Sequence, residues 1–503
     1  MQGNRANLNA PARRTERKEH LMRRGYLSAL LLLVAIYPAE AGRYDDPSFL
    51  TSHLVSGGVA KDGIPALTNP TFVAPNGVNY VQENDVVMGI VINGEPRAYP
   101  HNIGWWNEII NDRVGDQSVV VSLCPLTGTG QVFNATDSDG SQIEFGVSGL
   151  LINSNLVMYD RRDDETLYPQ MIYTAINGPQ VGDRLELMPV VETTWALWQR
   201  MYPSTTVVKA TTGWEYYNSR PAYNENQYTF YPYGDYRTSH EFLLFPPTTN
   251  DGAFDHRFET KDLVLGLCRN DQTKAYPFAL MPDGVVINDL IGDDPVVVLF
   301  DYASHTALAY FSQLDETPLS FYGVESEGPL PVEFMDAETG SRWNMLGEAV
   351  AGPLAGRRLA QIPAYNAMWF AWTAYWPDTE VWQPGEGILS QEDIEQIEQA
   401  TAVVETFDAA PAGFALRQNF PNPFNAQTLI QYELPAAGSV RLSVFNAAGQ
   451  RVRLLVEEHQ AAGLYLQPWD GRDDVGQPLA SGAYLYRLEA SEFVQARMMM
   501  LVR

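Results

Sequence analysis

The stretch that decides the fold reads Val87-Met-Gly-Ile-Val-Ile-Asn-Gly-Glu-Pro-Arg-Ala-Tyr-Pro100, and the chain contains it a second time. The second copy reads Val264-Leu-Gly-Leu-Cys-Arg-Asn-Asp-Gln-Thr-Lys-Ala-Tyr-Pro277, so equivalent residues lie 177 positions apart (277 − 100). A sequence repeated at a fixed spacing indicates a duplicated structural unit. The two copies therefore predict a body made of two equivalent halves, related by a pseudo-twofold axis.

Further matches extend the repeat over roughly 130 residues in each copy, which is an ordinary domain size. Asn111-Asp112 returns as Asn288-Asp289 at the same spacing. A second set recurs at a spacing of 174 (352 − 178): Gly178, Trp195, Trp198 and Val207 return as Gly352, Trp369, Trp372 and Val381. The Trp and Val matches favour packing. Because Asn and Asp are common in turns, we interpret the two Asn-Asp pairs as turns, with a binding site as the alternative.

Composition limits the class of protein. A chain of 503 residues predicts two to four domains, and 45% hydrophobic with 12% aromatic residues is enough to form packed cores. The net charge is −28, and no basic cluster follows the N-terminal region. These features exclude binding to nucleic acid or to anionic lipid as the main role.

The N-terminal region has the pattern of a targeting segment. Basic residues up to Arg24 precede an apolar run, Leu27–Ile36, which is too short to span a membrane. Ala39-Glu-Ala41 then has the small-x-small pattern of a cleavage site. The pattern predicts a cleaved signal peptide, with an uncleaved anchor as the alternative. No later segment is apolar enough to span a bilayer, so we predict no transmembrane segment in the mature chain.

Short alternating or apolar runs predict an α+β fold that is rich in β-strands. The predicted strands of the body are Val86–Ile92, Ser118–Leu123, Gly130–Phe133 and the strand-like Phe145–Tyr159. The predicted helices are Trp105–Asn111, Glu192–Met201, Ala364–Tyr375 and Ser390–Phe407. The predicted segments are a signal peptide (1–41), a first repeat (42–212), a Tyr-rich insert (213–262), a second repeat (263–383), an acidic helix with a linker (384–413) and a C-terminal β-sandwich (414–503).

The Tyr-rich insert favours a long packed loop that covers a seam between domains. Exposed tyrosines that bind a glycan or a peptide are the alternative.

The C-terminal segment predicts a small β-sandwich from four alternating stretches, namely Thr428–Leu434, Ser439–Asn446, Gln450–Glu457 and Gly482–Ala490. Its motifs are Asn419-Phe-Pro-Asn-Pro-Phe424, Val444-Phe-Asn-Ala-Ala-Gly449, Trp469-Asp-Gly471, Ala480-Ser-Gly-Ala-Tyr484 and the tail Arg497–Arg503. This set resembles the C-terminal sorting domain of type IX secretion cargo, which overlaps the Ig-like domain of flagellar hook-capping proteins. The resemblance implies export through the periplasm to the cell surface or the medium, with the type IX machinery as partner of residues 414–503. A sandwich that binds a ligand is the alternative.

The densest candidate for chemistry is Ser122-Leu-Cys-Pro-Leu-Thr-Gly-Thr-Gly130. A thiol at a strand end, beside backbone amides freed by glycine, can be exposed and have a lowered pKa. Cys124, Thr127 and Thr129 are therefore the candidate catalytic residues, with a purely structural turn as the alternative. In the second copy Asp301 stands where the first has Cys124, so the thiol belongs to the first copy alone.

The only other cysteine is Cys268. It could form a disulfide with Cys124 in an exported protein, or serve as a small buried apolar residue. The apolar run around Cys268 favours the second interpretation.

Other polar residues are candidates for binding. His101, Glu108, Asn111 and Asp112 could line the same cleft as Cys124. Asp160 and Arg161 could form an anion-binding strand end, or an exposed ion pair. His305 could face Cys124 across the pseudo-twofold axis. The sequence has no recognised metal motif, so no metal ligand is predicted, and the cofactor and the ligand stay open.

A family resemblance covers residues from about 50 to 382. It rests on Arg97-Ala-Tyr-Pro100, Trp106-Asn-Glu-Ile-Ile-Asn-Asp112, Cys124-Pro-Leu-Thr-Gly128, Phe145-Gly-Val-Ser-Gly-Leu-Leu151, Leu156-Val-Met-Tyr-Asp-Arg161 and Tyr233-Gly-Asp-Tyr236. These motifs resemble a bacterial family known as domain of unknown function 3179. Many of its members have Cys or selenocysteine where this chain has Thr127, and His where it has Asn107, which implies redox or metal chemistry.

This chain departs from the family at both positions. The departures favour a ligand-binding surface module, whose ligand is a small molecule, a glycan or a peptide. A thiol or redox enzyme centred on Cys124 is the alternative.

Overall fold

The structure is a computed structural model that describes residues 44, 46–210, 216–217, 220–221, 226–249, 254–270, 272–315, 317–397, 413–419, 422–424 and 428–502. The predicted signal peptide, residues 1–41, lies outside the described residues. Among the described helices, none has the length and apolar character needed to cross a membrane.

The first half of the body is mostly β-structure. Its helices are α1 (Pro47–Ser52), α2 (His101–Asn107) and α3 (Trp195–Met201). Its strands are β1 (Val55–Ser56), β2 (Leu67–Thr68), β3 (Phe72–Val73), β4 (Val86–Ile92), β5 (Glu95–Pro100), β6 (Ile109–Val114), β7 (Gln117–Cys124), β8 (Thr129–Asn134), β9 (Phe145–Ile152), β10 (Asn155–Asp160), β11 (Leu167–Pro169), β12 (Leu187–Met188), β13 (Val191–Thr194) and β14 (Thr206–Val208).

The insert and the second half follow. Two short strands lie in the insert, β15 (Tyr216–Tyr217) and β16 (Arg220–Pro221). The second half contains helix α4 (Trp369–Tyr375) and the strands β17 (Leu263–Arg269), β18 (Gln272–Pro277), β19 (Val286–Ile291), β20 (Asp294–Asp301), β21 (Thr306–Phe311), β22 (Gln313–Leu314), β23 (Thr317–Pro318), β24 (Phe321–Val324), β25 (Glu333–Asp336), β26 (Arg342–Asn344), β27 (Ala349–Ala351), β28 (Ala364–Met368) and β29 (Glu380–Val381).

The two halves contain sheets of the same strand order. One sheet contains the order β13-β4-β5-β14 and the other is β28-β17-β18-β29, and in both the last pairing is parallel while the others are antiparallel. The registers agree as well, since Gly89 pairs with Ala98 and Gly266 pairs with Ala275. In each half a β-meander follows, β6-β7-β8 and β19-β20-β21. The common ancestry of the halves stays an interpretation of the sequence.

The largest core cluster is continuous between the halves. It contains Val87 and Trp198 of the first half together with Val297 and Phe334 of the second. Because both halves contribute to one apolar cluster, the seam between the halves is part of the hydrophobic core of the body.

One predicted helix was displaced along the chain, and two others begin later than predicted. The helix predicted at Trp105–Asn111 is α2, four residues earlier, because Glu108 has φ 58° and ends the helix before the strand β6 begins. The stretches Glu192–Met201 and Ala364–Tyr375 each begin as a strand, β13 or β28, and become helical only at the tryptophan. In the first of them Thr194 is extended, and its hydroxyl accepts from Leu197 N, so the helix starts there.

The helix predicted at Ser390–Phe407 is described over 391–397. Ser390 and Asp393 cap each other reciprocally, since Asp393 N donates to Ser390 Oγ and Ser390 N donates to Asp393 Oδ2. The remainder of that prediction lies outside the described residues.

The C-terminal segment is a β-sandwich, as predicted. Its strands are β30 (Ala415–Leu416), β31 (Thr428–Leu434), β32 (Gly438–Asn446), β33 (Arg451–Gln460), β34 (Gly463–Trp469), β35 (Gly482–Ala490) and β36 (Phe493–Leu501). They form the sheets β30-β31-β34 and β33-β32-β35-β36. The fold class, a β-rich α+β body followed by an Ig-like sandwich, is thereby confirmed. The sequence missed β34 and the edge strand β36, whose apolar residues were taken for a tail.

Candidate functional site

The three candidate catalytic residues lie together at the end of one hairpin. Cys124 ends β7 and pairs with Thr129, which begins β8. Between them the turn is closed by Gly128, whose φ of 65° favours glycine. Thr127 and Thr129 are fully buried, and the Asn155 amide donates to Thr127 Oγ1 at 3.1 Å.

The Cys124 thiol is buried and weakly acidic. Only 1% of the residue is exposed, and its Sγ donates to the Ser154 carbonyl at 3.5 Å. Burial raises the pKa of Cys124 to about 11, and the charge of Glu108 acts in the same direction, against the lowering effect of the Thr127 hydrogen bond. The thiol is therefore protonated at neutral pH. The expectation of an exposed thiol with a lowered pKa was wrong.

The Tyr-rich insert covers this turn and the neighbouring helix α2. Tyr231 OH donates to the Pro125 carbonyl at 2.9 Å, and Tyr228 OH donates to Asn107 Oδ1 at 2.9 Å. The Tyr236 ring is buried, and within the described residues its hydroxyl has no hydrogen-bond partner. The part of the insert that the structure describes is thus a packed cover, and it holds the side chain of Asn107.

Unpartnered polar atoms line the same face of the hairpin. Ser122 and Gln131 are opposite each other in the register of β7 and β8, so their side chains are neighbours. Both residues are fully buried, and within the described residues neither Ser122 Oγ nor the two polar atoms of the Gln131 amide has a partner. Gln170 bonds the backbone beside them, at Ser122 O and Thr129 O. We refer to these buried polar side chains around Cys124 as the polar pocket.

Glu108 lies close enough to Cys124 for its charge to raise the pKa of the thiol. It is buried, and burial raises the pKa of its carboxyl group to about 8. Its burial means that a neutral carboxylic acid stands beside a neutral thiol at pH 7.

Asn111 and Asp112 are structural strand residues, not a turn. Both lie in β6, where Asn111 bonds the backbone of Phe145 with both ends of its amide, at 2.9 Å and 2.8 Å. Asp112 Oδ2 accepts from Arg97 and from Tyr99 OH, each at 2.7 Å. The turn interpretation was wrong because these partners are distant in the sequence.

The second Asn-Asp pair makes equivalent hydrogen bonds. Asn288 lies in β19 and bonds the backbone of Phe321 at 2.8 Å and 2.7 Å. Asp289 pairs with Lys274 and accepts from Tyr276 OH. Because both copies use the pair to join a meander to its neighbours, we assign it to packing and not to binding.

Asp160 and Arg161 do not form a shared anion site. Asp160 is fully buried and pairs with the Arg162 guanidinium, whereas Arg161 pairs with Asp62 at 3.0 Å. Two separate ion pairs therefore hold the end of β10, and neither arginine is left for an anion.

His305 lies away from the thiol pocket. It is exposed in the turn between β20 and β21, with φ 51°, and its ring is 5.6 Å from that of Tyr302. Within the described residues, no contact joins it to Cys124. The proposed pairing across the pseudo-twofold axis is therefore not seen.

His101 lies in a polar cluster on the other face of the hairpin. Its Nε2 is 3.6 Å from Glu192 Oε1, and the side chain of Asn366 donates a hydrogen bond to the Glu192 carboxyl group. Burial and the charge of Arg237 lower the pKa of His101 to about 3, and burial raises that of Glu192 to about 7. The sequence missed Glu192 and Asn366, although the repeat pairs them at its spacing of 174 (366 − 192).

Metal and disulfide sites find no support among the described residues. Those residues contain no group of three or more His, Cys, Asp or Glu side chains that could hold a metal ion. Cys124 and Cys268 are both free, and burial raises the pKa of Cys268 to about 12. Cys268 is half-buried and packs against an apolar cluster, so it is less buried than expected, and it forms no disulfide with Cys124.

The chain folds as a β-rich body followed by a C-terminal Ig-like domain. The chain belongs to the family described as "Protein of unknown function (DUF3179)", whose sequence profile matches residues 61–379. The profile of the FlgD Ig-like domain matches residues 424–492. No curated protein matches the chain.

Three solved structures show limited similarity. FlgD from P. aeruginosa is 24% identical with a TM-score of 0.13, over 15% of this chain and 57% of that one. Latent PorU from Porphyromonas gingivalis is 9% identical with a TM-score of 0.16, over 76% and 31%. PorZ, described as an essential surface component of the type IX secretion system of P. gingivalis, is 11% identical with a TM-score of 0.14, over 79% and 52%. The chain spans less than two thirds of the length of each of these structures.

Proposed function

We propose that this chain is an exported ligand-binding protein with no catalytic thiol. Its body, with repeats at 42–212 and 263–383, binds a small polar ligand, and its C-terminal domain is an address for type IX secretion. The observation that carries the binding role is the Gln131 amide, which is fully buried and has no partner within the described residues. An unpartnered buried amide costs about 1–3 kcal/mol, which a polar ligand or water would offset.

Two neighbours give the pocket its chemical character. The Gln131 amide offers donors and an acceptor, and the hydroxyls of Ser122 and Tyr236 can each donate and accept a hydrogen bond. A neutral ligand with several hydroxyl or amide groups satisfies such a mixed set. The buried Glu108 acid and Cys124 thiol, both neutral at pH 7, fit the same preference.

The thiol or redox enzyme is the alternative, supported by the Thr127 hydrogen bond that lowers the pKa of Cys124. Burial outweighs that effect. A thiol with a pKa of about 11 instead of about 8.5 holds roughly 300-fold less thiolate at pH 7. The nucleophile that such an enzyme needs is therefore scarce in this chain.

Alkylation decides between the two functions. In a Cys268→Ala background, iodoacetamide at pH 7 should modify folded Cys124 at least about 300-fold more slowly than the urea-unfolded chain, because the thiol is protonated and buried. Mass spectrometry over time measures both rates. Modification of the folded chain at the unfolded rate, with a titration midpoint below about 8.5, would favour the thiol enzyme.

The proposal of export rests on the C-terminal domain and on the predicted signal peptide. The sandwich matches the FlgD Ig-like profile, and its motifs resemble those of type IX sorting domains. Since that domain has its own apolar cluster, which includes Ile430, Leu442 and Tyr486, it has a core of its own.

Deletion of residues 414–503 should stop release of the body and trap it in the periplasm, because the address is lost while the signal peptide remains. Cell fractionation and immunoblotting of a type IX-competent host measure this. Gln131→Leu, a change confined to the body, is the matched control and should be released normally. Normal release of the truncated chain would contradict the sorting role.

A further inference from the structure

The seam between the two halves contains a second polar cluster. The halves are joined there by backbone and side-chain hydrogen bonds, since Met368 N donates to Thr127 O at 2.8 Å and Thr306 Oγ1 donates to Thr193 Oγ1 at 2.6 Å. Glu192 of β13 and Asn366 of β28 lie beside these bonds. They occupy equivalent positions, because Glu192 pairs with Met88 and Asn366 with Leu265. Two equivalent side chains thus bond each other across the seam.

Three side chains at this cluster keep an unpartnered polar atom. These atoms are His101 Nε2, Glu192 Oε2 and Asn366 Oδ1, which have no hydrogen-bond partner within the described residues. The residues are 8%, 9% and 3% exposed, so more than nine-tenths of each is buried. Buried polar atoms are nearly always paired in folded proteins. Three orphans on one connected cluster therefore indicate a missing partner.

Packing alone does not explain the polar residues. Phe278 stands at the position equivalent to His101 (278 − 101 = 177), and it is buried in an apolar cluster. An apolar ring therefore suits this position, and a buried imidazole without a partner costs free energy. The backbone of Gly130 lies close to this cluster, because a Cβ there would be 3.1 Å from Glu192 Oε2 and would clash with Met88 Sδ at 2.6 Å.

The three orphan atoms share one chemical role. A carboxylate oxygen and an amide oxygen accept hydrogen bonds, and His101 Nε2 accepts in the neutral tautomer that carries its proton on Nδ1. His101 is neutral at physiological pH because burial and Arg237 depress its pKa. The cluster therefore presents acceptors and one ionisable acid, which calls for a ligand with donors and positive charge.

We propose that the seam cluster of His101, Glu192 and Asn366 binds a small cation with N–H donors, either the ammonium ion or the primary ammonium group of an organic amine. Three N–H donors match three acceptors, and the positive charge compensates ionised Glu192. A metal ion fits less well, since the described residues hold no group of three His, Cys, Asp or Glu side chains. The side chains of His101 and Glu192 each keep 11% exposure, which connects the cluster to solvent.

This seam cluster is separate from the pocket around Cys124. Gly130 and Gln131 are consecutive in β8, so they face opposite sides of the hairpin, with Glu192 on the side of Gly130. The proposal therefore goes beyond the polar-ligand role and can succeed or fail without it.

Thermal unfolding of the full chain at pH 8 tests the proposal. Ammonium chloride and methylammonium chloride should raise the midpoint by about 2 °C at ten times Kd, relative to equal ionic strengths of sodium chloride or tetramethylammonium chloride, which lack N–H donors. A response to ammonium alone identifies the free ion as the ligand, and a response to both identifies the amine group. Calorimetric titration with the same salts gives Kd.

Matched variants test whether the stabilisation by ammonium depends on the residues of the seam cluster. Glu192→Gln should abolish it, whereas Glu338→Gln should keep it, because Glu338 is another acid with a pKa raised to about 8 but its oxygens already accept from Ser320 N. His101→Phe installs the residue of the second half, so it should fold and weaken binding at least about tenfold by removing one acceptor.

Other results would overturn the proposal. These are equal midpoints in ammonium and sodium salts, an unchanged response in both Glu192→Gln and His101→Phe, or stabilisation by Zn²⁺ or Mn²⁺ alone. Loss of the response in Gln131→Leu with retention in Glu192→Gln would place the cation in the Cys124 pocket instead.

Discussion

Gly89→Ala is expected to destabilise the body by about 3 kcal/mol, the upper end of the usual cost of overpacking a core. A Cβ at Gly89 would overlap the ring of Trp198, which is fully buried. The ring cannot move away, since its Nε1 donates to Thr205 Oγ1 at 2.8 Å. Gly266 meets Trp372 in the same way, and Trp372 Nε1 donates to Thr379 Oγ1 at 3.0 Å. Gly266→Ala should therefore cost a similar amount.

Gly323→Ala is the matched control for both variants. Gly323 is also a strand residue, but a Cβ there would lie 3.5 Å from Gly284 O and 3.6 Å from Val286, which is ordinary contact. Its free energy of unfolding should change by less than about 1 kcal/mol. Urea unfolding followed by tryptophan fluorescence measures all three variants. If Gly89→Ala proves as stable as Gly323→Ala, the close packing of glycine on tryptophan is refuted.

The repeat explains how much of the fold was predictable. Gly89 and Gly266, like Trp198 and Trp372, were visible as matched residues, and the assignment of the tryptophans to packing agrees with the contacts. Their pairing was not visible, because Gly89 and Trp198 are 109 residues apart (198 − 89). Strands with clear alternation, such as β31 and β35, were placed at their observed bounds. The boundary between β13 and α3 was missed because Glu192, Thr193 and Thr194 are polar, so nothing in the sequence marked them as a buried strand.

The candidate site was predictable in part. The sequence brought Cys124, Thr127 and Thr129 together because they are local, and the structure agrees. It could not show that the turn is buried, since Met368 of the second half covers it from 241 residues away (368 − 127). A Pro-Gly turn is exposed by default. Here the tertiary contacts bury the turn, and this burial raises the pKa of the Cys124 thiol.

The same reason accounts for Asn111 and Asp112. Strand β6 is buried on both faces, with Ile109 in one apolar cluster and Ile110 in another. A strand buried on both faces lacks the polar alternation that marks a strand in the sequence. Two polar residues in such a strand therefore resembled a turn until their distant partners were known.

Asp112→Ala is expected to lower the free energy of unfolding by about 3–5 kcal/mol, the usual effect of removing one partner of a buried ion pair. The Asp112 side chain is 4% exposed, and its Oδ2 accepts from both Arg97 Nη1 and Tyr99 OH at 2.7 Å. Its loss would leave a largely buried guanidinium and a buried phenol with one partner fewer. Urea unfolding monitored by circular dichroism gives the change from the shift in midpoint and slope.

Glu95→Ala is a stringent control, because Glu95 pairs with the same arginine at 2.7 Å but its side chain is 47% exposed. An exposed pair contributes about 0–1 kcal/mol, so this variant should unfold nearly as the unmodified chain does. The two variants remove the same kind of charge from the same guanidinium, and they differ mainly in burial and in the Tyr99 hydrogen bond. Equal costs for the two would mean that burial does not set the strength of this pair, and that Asp112 is free for another role.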